Sequence, residues 1–233
     1  ELDGKMGVAW NNRGKARQML GDVAGAIEDY SKAIELDRSH IKAWNNRGFA
    51  RAETGDLNGA IQDISRAIEL DPTLADAWNN RAVIREAKGD LDGAISDFGR
   101  AVELQSEQPI FWSNRGNTRR LKGDLNGAIA DYTQALELDP RDADSWNNRA
   151  MARKASGDLE GAIADYGQAL SLHPEDPELW INRGILHLER GDQKKSIADW
   201  EQALKLEPDH PQALVIRAEI KKMRAQLEKQ KGK

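Results

Sequence analysis

The sequence predicts an all-α fold: an α-α superhelix, or solenoid, of six helix hairpins followed by a C-terminal capping helix. Three observations carry this. Tryptophan stands at 10, 44, 78, 112, 146 and 180, always 34 residues apart, and a fixed period of that length marks a stack of similar supersecondary units. A Gly-Asp pair keeps the same step, beginning at 21, 55, 89, 123, 157 and 191. Between these landmarks, large and small residues recur at helical spacing.

Each unit reads as two helices joined by a tight turn. In the first, Trp10, Gly14 and Arg17 fall at i, i+4 and i+7 and share one helix face. Gly21 suits a left-handed closing position, and Asp22 can accept from the first amides of the next helix, a cap worth about 1 kcal/mol. The second helix aligns Ala26, Tyr30 and Ala33. A small residue in the first helix (Gly14, Gly48, Ala82, Gly116, Ala150, Gly184) and one early in the second (Ala26, Ala60, Ala94, Ala128, Ala162, Ser196) let the two cross closely. Proline closes several units, at Pro72, Pro140, Pro174 and Pro208. Such hairpins bury their apolar faces only by stacking on their neighbours, and each tryptophan packed between hairpins is expected to contribute roughly 3–5 kcal/mol.

Tryptophan, a small residue four on, Gly-Asp, alanine, aromatic, alanine and proline together resemble the tetratricopeptide repeat (TPR) family, in the tandem form common in bacterial proteins. The resemblance covers residues 7 to 210 as six units: 7–40, 41–74, 75–108, 109–142, 143–176 and 177–210. It departs from the family's pattern at the third and seventh residues after each tryptophan, where leucine and tyrosine are usual and arginine mainly stands here. Residues 1–6 read as the tail of a preceding repeat, since Glu1-Leu2-Asp3 lies 34 residues before Glu35-Leu36-Asp37, and the chain as a piece excised from a longer array. Residues 211–228 read as a capping helix with a polar outer face (Lys221, Lys222, Arg224), and 229–233 as a disordered tail.

Charged residues make up 31% of the chain and the net charge is −5, which speaks against global attraction to nucleic acid or anionic membrane. There is no cysteine, so disulfides and thiolate metal sites are ruled out. No apolar run reaches the length of a membrane span. Nothing fixes the compartment, with the cytoplasm favoured.

Two polar series recur beside the tryptophans. Arg13, Arg47, Arg81, Arg115, Arg149 and Arg183, with Arg217 in the cap, lie one turn beyond them; Arg17, Arg51, Arg85, Arg119 and Arg153 lie a turn further. A charge beside the packed stripe is costly unless paired. Asp29, Asp63, Asp97, Asp131, Asp165 and Asp199 flank the alanines of the second helix and are the expected partners, in a structural Arg–Asp ladder with forked bonds. The alternative use is a basic stripe for acidic ligands.

Asn12, Asn46, Asn80, Asn114, Asn148 and Asn182 fall two residues after each tryptophan, about 200° round the helix from it. They are expected to face away from the inter-helix core. The resemblance implies that first helices line a concave groove, where this row would hold an extended peptide by its backbone, since an amide both donates and accepts. Bonding between neighbouring repeats is the other reading. The asparagines before them, Asn11, Asn45, Asn79 and Asn147, project sideways. Lys15, Phe49, Val83, Asn117, Met151 and Ile185 follow the ladder by three residues and would set specificity, with apolar anchors over repeats five and six. The lysines of the family's carboxylate clamp are missing from the matching places, so that activity is not implied.

No catalytic constellation emerges. His40, His173, His187 and His210 form no spaced ligand pair and read as surface histidines, no phosphate loop fits the glycines, and neither cofactor nor metal is expected. A repeating surface supplies no unique pocket for an enzyme. The leading expectation is a non-catalytic protein–protein interaction scaffold binding an extended peptide or partner helix. An RNA-binding helical repeat is a second reading, weakened by the acidic balance. A third is an architectural spacer with end-to-end self-association, in which Trp200 and its neighbours Gln193, Lys194 and Lys195 would matter most.

Overall fold

Thirteen α-helices follow one another in the computed structural model, which describes residues 2–231, with side chains described for 6–230. They are α1 (Leu2–Met19), α2 (Val23–Leu36), α3 (Ile41–Glu53), α4 (Leu57–Leu70), α5 (Ala75–Ala87), α6 (Leu91–Leu104), α7 (Pro109–Lys122), α8 (Leu125–Leu138), α9 (Ala143–Ser156), α10 (Leu159–Leu172), α11 (Pro177–Glu189), α12 (Gln193–Leu206) and α13 (Ala213–Lys231). The chain divides into two compact units, one ending at Lys122 and the other beginning at Gly123. In the first unit α1 pairs with α2, α3 with α4 and α5 with α6, each pair packs on the next, and the first helices α1, α3, α5 and α7 also touch in sequence. In the second, α8 to α13 each pack on the helix that follows.

The hairpin turns repeat one geometry. Gly21 has φ +85° and its five equivalents lie between +81° and +89°, a region that favours glycine for want of a Cβ. The aspartate that follows caps the second helix: Asp22 accepts from the Gly25 amide at 2.9 Å, and Asp56, Asp90 and Asp158 do the same three residues on.

The small residues set how closely the helices cross. A Cβ on Gly48 would stand 3.0 Å from the Ala60 carbonyl and 2.6 Å from Ile64 Cγ1, and one on Gly184 would stand 2.5 Å from Trp200 Cδ1. Ala26, Tyr30, Ala60, Ile64, Ala94 and Phe98 are buried in the first unit, as are Ala162, Tyr166, Ala169 and Trp200 in the second.

The six register tryptophans are half-buried rather than sealed in the core. Trp44 packs beside Ala33, Ile34 and Ala43, and its indole nitrogen donates to the Arg38 carbonyl at 2.9 Å. Trp78, Trp112, Trp146 and Trp180 repeat that bond to the carbonyls of Pro72, Ser106, Pro140 and Pro174. At the C-terminal end Leu214 holds the tryptophan place but is 80% exposed. Arg217 Nη2 donates to the Pro208 carbonyl instead, at 2.8 Å, and so satisfies the next carbonyl of the series.

Both ends differ from the sequence expectation. Residues 2–6, expected as the tail of a preceding repeat, continue into α1 without a turn. The capping helix starts at Ala213 and runs to Lys231, so residues 229–231 are helical, not a tail; Lys229 and Gln230 are exposed, as suits the end of a helix that is solvated on its outer face. Glu1 and residues 232–233 lie outside the described residues.

Gly184→Ala is expected to cost about 1–3 kcal/mol in chemical denaturation, because the new methyl group meets the Trp200 ring. Combining it with Trp200→Tyr, the residue of repeats one, four and five, should recover part of the loss; strict additivity of the two would show that the glycine is not there for the indole.

Candidate functional site

Beneath the first-helix surface lies a series of buried carboxylates, of which Asp29, Asp63, Asp97 and Asp165 are each held by two arginines. Asp29 accepts from Arg13 Nε and Nη2 at 2.6 and 2.7 Å and from Arg17 Nη1 at 3.1 Å. Asp63 is held in the same way by Arg47 and Arg51, Asp97 by Arg81 and Arg85, and Asp165 by Arg149 and Arg153. In repeat six Arg183 forks onto Asp199 at 2.8 and 2.7 Å. Asp131 is buried in the second unit, and Arg115 in the first lies over Trp112. The Arg13 hydrogen bonds hold the Asp29 carboxyl below its ordinary pKa, against a smaller opposing effect of burial.

The same guanidinium faces its tryptophan. Ring-to-carbon distances run from 4.2 Å for Arg13 over Trp10 to 4.9 Å for Arg183 over Trp180, a cation–π contact worth about 0.5–1 kcal/mol at partly exposed sites. It was foreseeable from the i, i+3 spacing. A third bond crosses to the preceding repeat, where Arg47 donates to Ser31, Arg81 to Ser65 and Arg149 to Thr133, at 3.0–3.1 Å. Gly167 holds that position before Arg183, so the hydroxyl is missing.

Repeat six also replaces the second arginine. His187 is buried, its Nε2 3.8 Å from Asp199 Oδ2. Burial pulls its pKa below the ordinary histidine value, Asp199 opposes that, and Arg183 and Lys195 reinforce it. His210 is buried as well, with Nε2 2.8 Å from Glu178. These two are therefore not surface histidines: each fills a slot beside a carboxylate. Among the described residues no cluster of three or more acidic or histidine side chains is arranged to hold a metal ion, and no helix is long and apolar enough to cross a membrane.

Above the ion pairs, the asparagines join adjacent first helices. Asn46 Nδ2 donates to Asn11 Oδ1 at 3.0 Å, Asn80 to Asn45 at 3.3 Å, and Asn114 to Asn79 at 3.0 Å. The sideways asparagines are thus the acceptors of an inter-repeat amide ladder. Each bond spends one hydrogen of the later asparagine; among the described residues its Oδ1 and second N–H have no protein partner, and Asn46, Asn80 and Asn114 remain half-exposed. Asn12 is exposed, its Oδ1 accepting from Asn11 at 3.5 Å. Asn148 and Asn182 are half-buried at the same register in the second unit.

A concave cleft of about 370 Å³ opens beside this ladder, lined by Lys15, Gln18, Met19, Tyr30, Asn46, Phe49 and Glu53. Its floor is a hydrogen-bond chain: Tyr30 donates to Gln18 at 2.8 Å and Gln18 to Glu53 at 2.9 Å. Burial pushes the Tyr30 pKa up to about 12, so the phenol stays a donor. Phe49 and Val83 are exposed, whereas Asn117 is half-buried. The expected apolar anchors of repeats five and six are not free, because Met151 packs against the Tyr166 cluster and Ile185 against the Trp200 cluster.

Sequence models described as tetratricopeptide repeat match residues 7–40, 41–74, 143–176, 64–96 and 167–221, and one described as TPR repeat matches 116–155. The chain belongs to the tetratricopeptide repeat family. Members are generally non-catalytic scaffolds that bind protein or peptide partners. No curated protein sequence matches this TPR chain. Among solved structures, Pseudomonas aeruginosa pilF is similar with a TM-score of 0.77 and 16% identity, covering 94% of this chain and 100% of that one. YrrB, described as a TPR protein with an unusual peptide-binding site, scores 0.70 at 20% identity, covering 81% and 97%. MamA scores 0.67 at 19% identity, covering 69% and 94%. At these identities the likeness is one of fold.

Asp97→Ala should lower stability by about 3 kcal/mol in urea denaturation, since it strands two guanidinium groups beside a core; a loss under half a unit would mean that the pairs contribute little. For His187 the folded state favours the neutral ring, so its contribution is present above the unfolded pKa of about 6.5 and is lost as pH falls. Unfolding midpoints measured between pH 8 and 5 should drop more steeply for the native chain than for His187→Gln, while matching curves would assign the acid sensitivity elsewhere.

Proposed function

We propose that this chain is a non-catalytic protein–protein interaction scaffold that holds an extended segment of a protein partner along the first-helix face, through the asparagine ladder. The supporting observation is the unused hydrogen-bonding capacity of Asn46, Asn80 and Asn114, half-exposed beside a concave cleft. Peptide backbones in extended form carry free N–H and C=O groups, which such amides can meet whatever the sequence. The peptide-binding site ascribed to YrrB is in keeping with this reading.

The other readings find less support. Arginines that would serve RNA phosphates are engaged with aspartates. Trp200, on which end-to-end association would turn, is 5% exposed and donates to the Ile181 carbonyl inside its own repeat.

In a pull-down from cell extract, replacing Asn80, Asn114 and Asn148 together with alanine should abolish capture of partners held by the native chain. Circular dichroism must show the triple variant folded, because Asn80 and Asn114 also bond their neighbours. Equal capture by both chains would remove the ladder from recognition.

A further inference from the structure

Among the described residues of the first unit, six of the eight exposed large apolar side chains, all but Met6 and Leu20, fall on one face of the first helices. Val8, Met19, Phe49, Val83, Ile110 and Leu121 are between 42% and 80% exposed. They occupy only three registers of the repeat: Val8 matches Ile110, Phe49 matches Val83, and Met19 matches Leu121, at multiples of 34 residues. Those registers are seven and four residues apart, so they share one face of each first helix. Met19 and Phe49 line the cleft beside Asn46, which fixes that face as the one carrying the amide ladder. In the second unit the same registers hold Asp144, Met151, Ala155, Glu178, Ile185 and Glu189. In the first unit these registers also hold Lys15, Lys42, Glu53, Asp76, Ala87 and Asn117, so the apolar side chains are interspersed with polar ones, but each of its first helices carries at least one exposed large apolar residue on this face.

The spacing of the row restricts what can cover it. Successive first helices are in direct contact, through Asn46 to Asn11 and Gln18 to Glu53, and packed helices lie about 8–10 Å apart. Two residues of a β-strand advance only about 6.8 Å and fall out of step. Three residues of a polyproline II helix advance about 9.3 Å and return to the same face. Seven residues of an α-helix, about 10.5 Å, would also keep step, but its backbone groups are bonded internally and have no use for the open Oδ1 and N–H of Asn46, Asn80 and Asn114.

We infer that the groove of the first unit takes an extended segment in the polyproline II conformation with an aliphatic residue at every third position. The aliphatic side chains rest between Met19, Phe49, Val83 and their register partners, while the unpaired backbone groups meet the asparagine amides. The inference rests on the proposed groove function and adds the guest's conformation and periodicity.

The test uses a fluorescently labelled peptide of four Leu-Pro-Gln units, with two controls: one of the same composition with its leucines adjacent, and a helical peptide with leucine at i, i+7. Anisotropy titration of the whole chain should favour the periodic peptide over each control by about tenfold, the difference that burying an aliphatic side chain provides. Phe49→Asp and Val83→Asp, both at exposed positions, should each weaken that peptide by about tenfold. No binding, equal binding of the shuffled peptide, tighter binding of the helical one, or indifference to both substitutions would each overturn the inference. If partner capture is lost in the triple asparagine variant yet survives Phe49→Asp and Val83→Asp, the groove function stands and only the apolar periodicity falls.

Discussion

A carboxylate buried between two arginines is the constraint on which repeats one, two, three and five depend, with His187 taking the second place in repeat six. Asp63 and Asp97 are about 2% exposed, yet they bring a negative charge into an alanine-lined seam. That is tolerable only because forked bonds from one arginine and a further bond from a second satisfy the oxygens. The geometry permits little variation. It sets how far the first helix can rotate against the second, and thereby which residues are left outward.

The same arginine also decides the junctions. Its guanidinium is shared by the aspartate of its own hairpin, the tryptophan of its own helix and, at Arg47, Arg81 and Arg149, a hydroxyl of the preceding repeat. The tryptophan is anchored to a carbonyl six residues earlier. Close packing within hairpins and directional polar bonds between them give neighbours a fixed register. A fixed register is what makes a row of asparagines, or of exposed apolar groups, possible at all.

Much of this was legible in the sequence, because a 34-residue period with glycine, aspartate and tryptophan in phase leaves few other arrangements. Helix order, turn geometry and capping aspartates follow from local chemistry that each unit repeats. What escaped depends on contacts between units. The role of Asn11, Asn45 and Asn79 as acceptors needs the offset of one first helix against the next, which spacing inside a repeat does not specify. Met151 and Ile185 look like exposed apolar variants on a helical wheel, but neighbouring helices cover them. Likewise His187 was visible as a departure from arginine, whereas its burial was not.

The glycine at 167 carries a mechanical consequence. Where Ser31, Ser65 and Thr133 tie one repeat to the next, Gly167 offers Arg183 only backbone, and it also loosens the middle of α10. Under tension applied along the second unit, the seam between α10 and α11 would be the compliant one, yielding before the seam between α8 and α9 that Thr133 secures. Gly99 stands in the same place before Arg115 in the first unit, so an array of near-identical modules carries unequal stiffness wherever this side chain is missing.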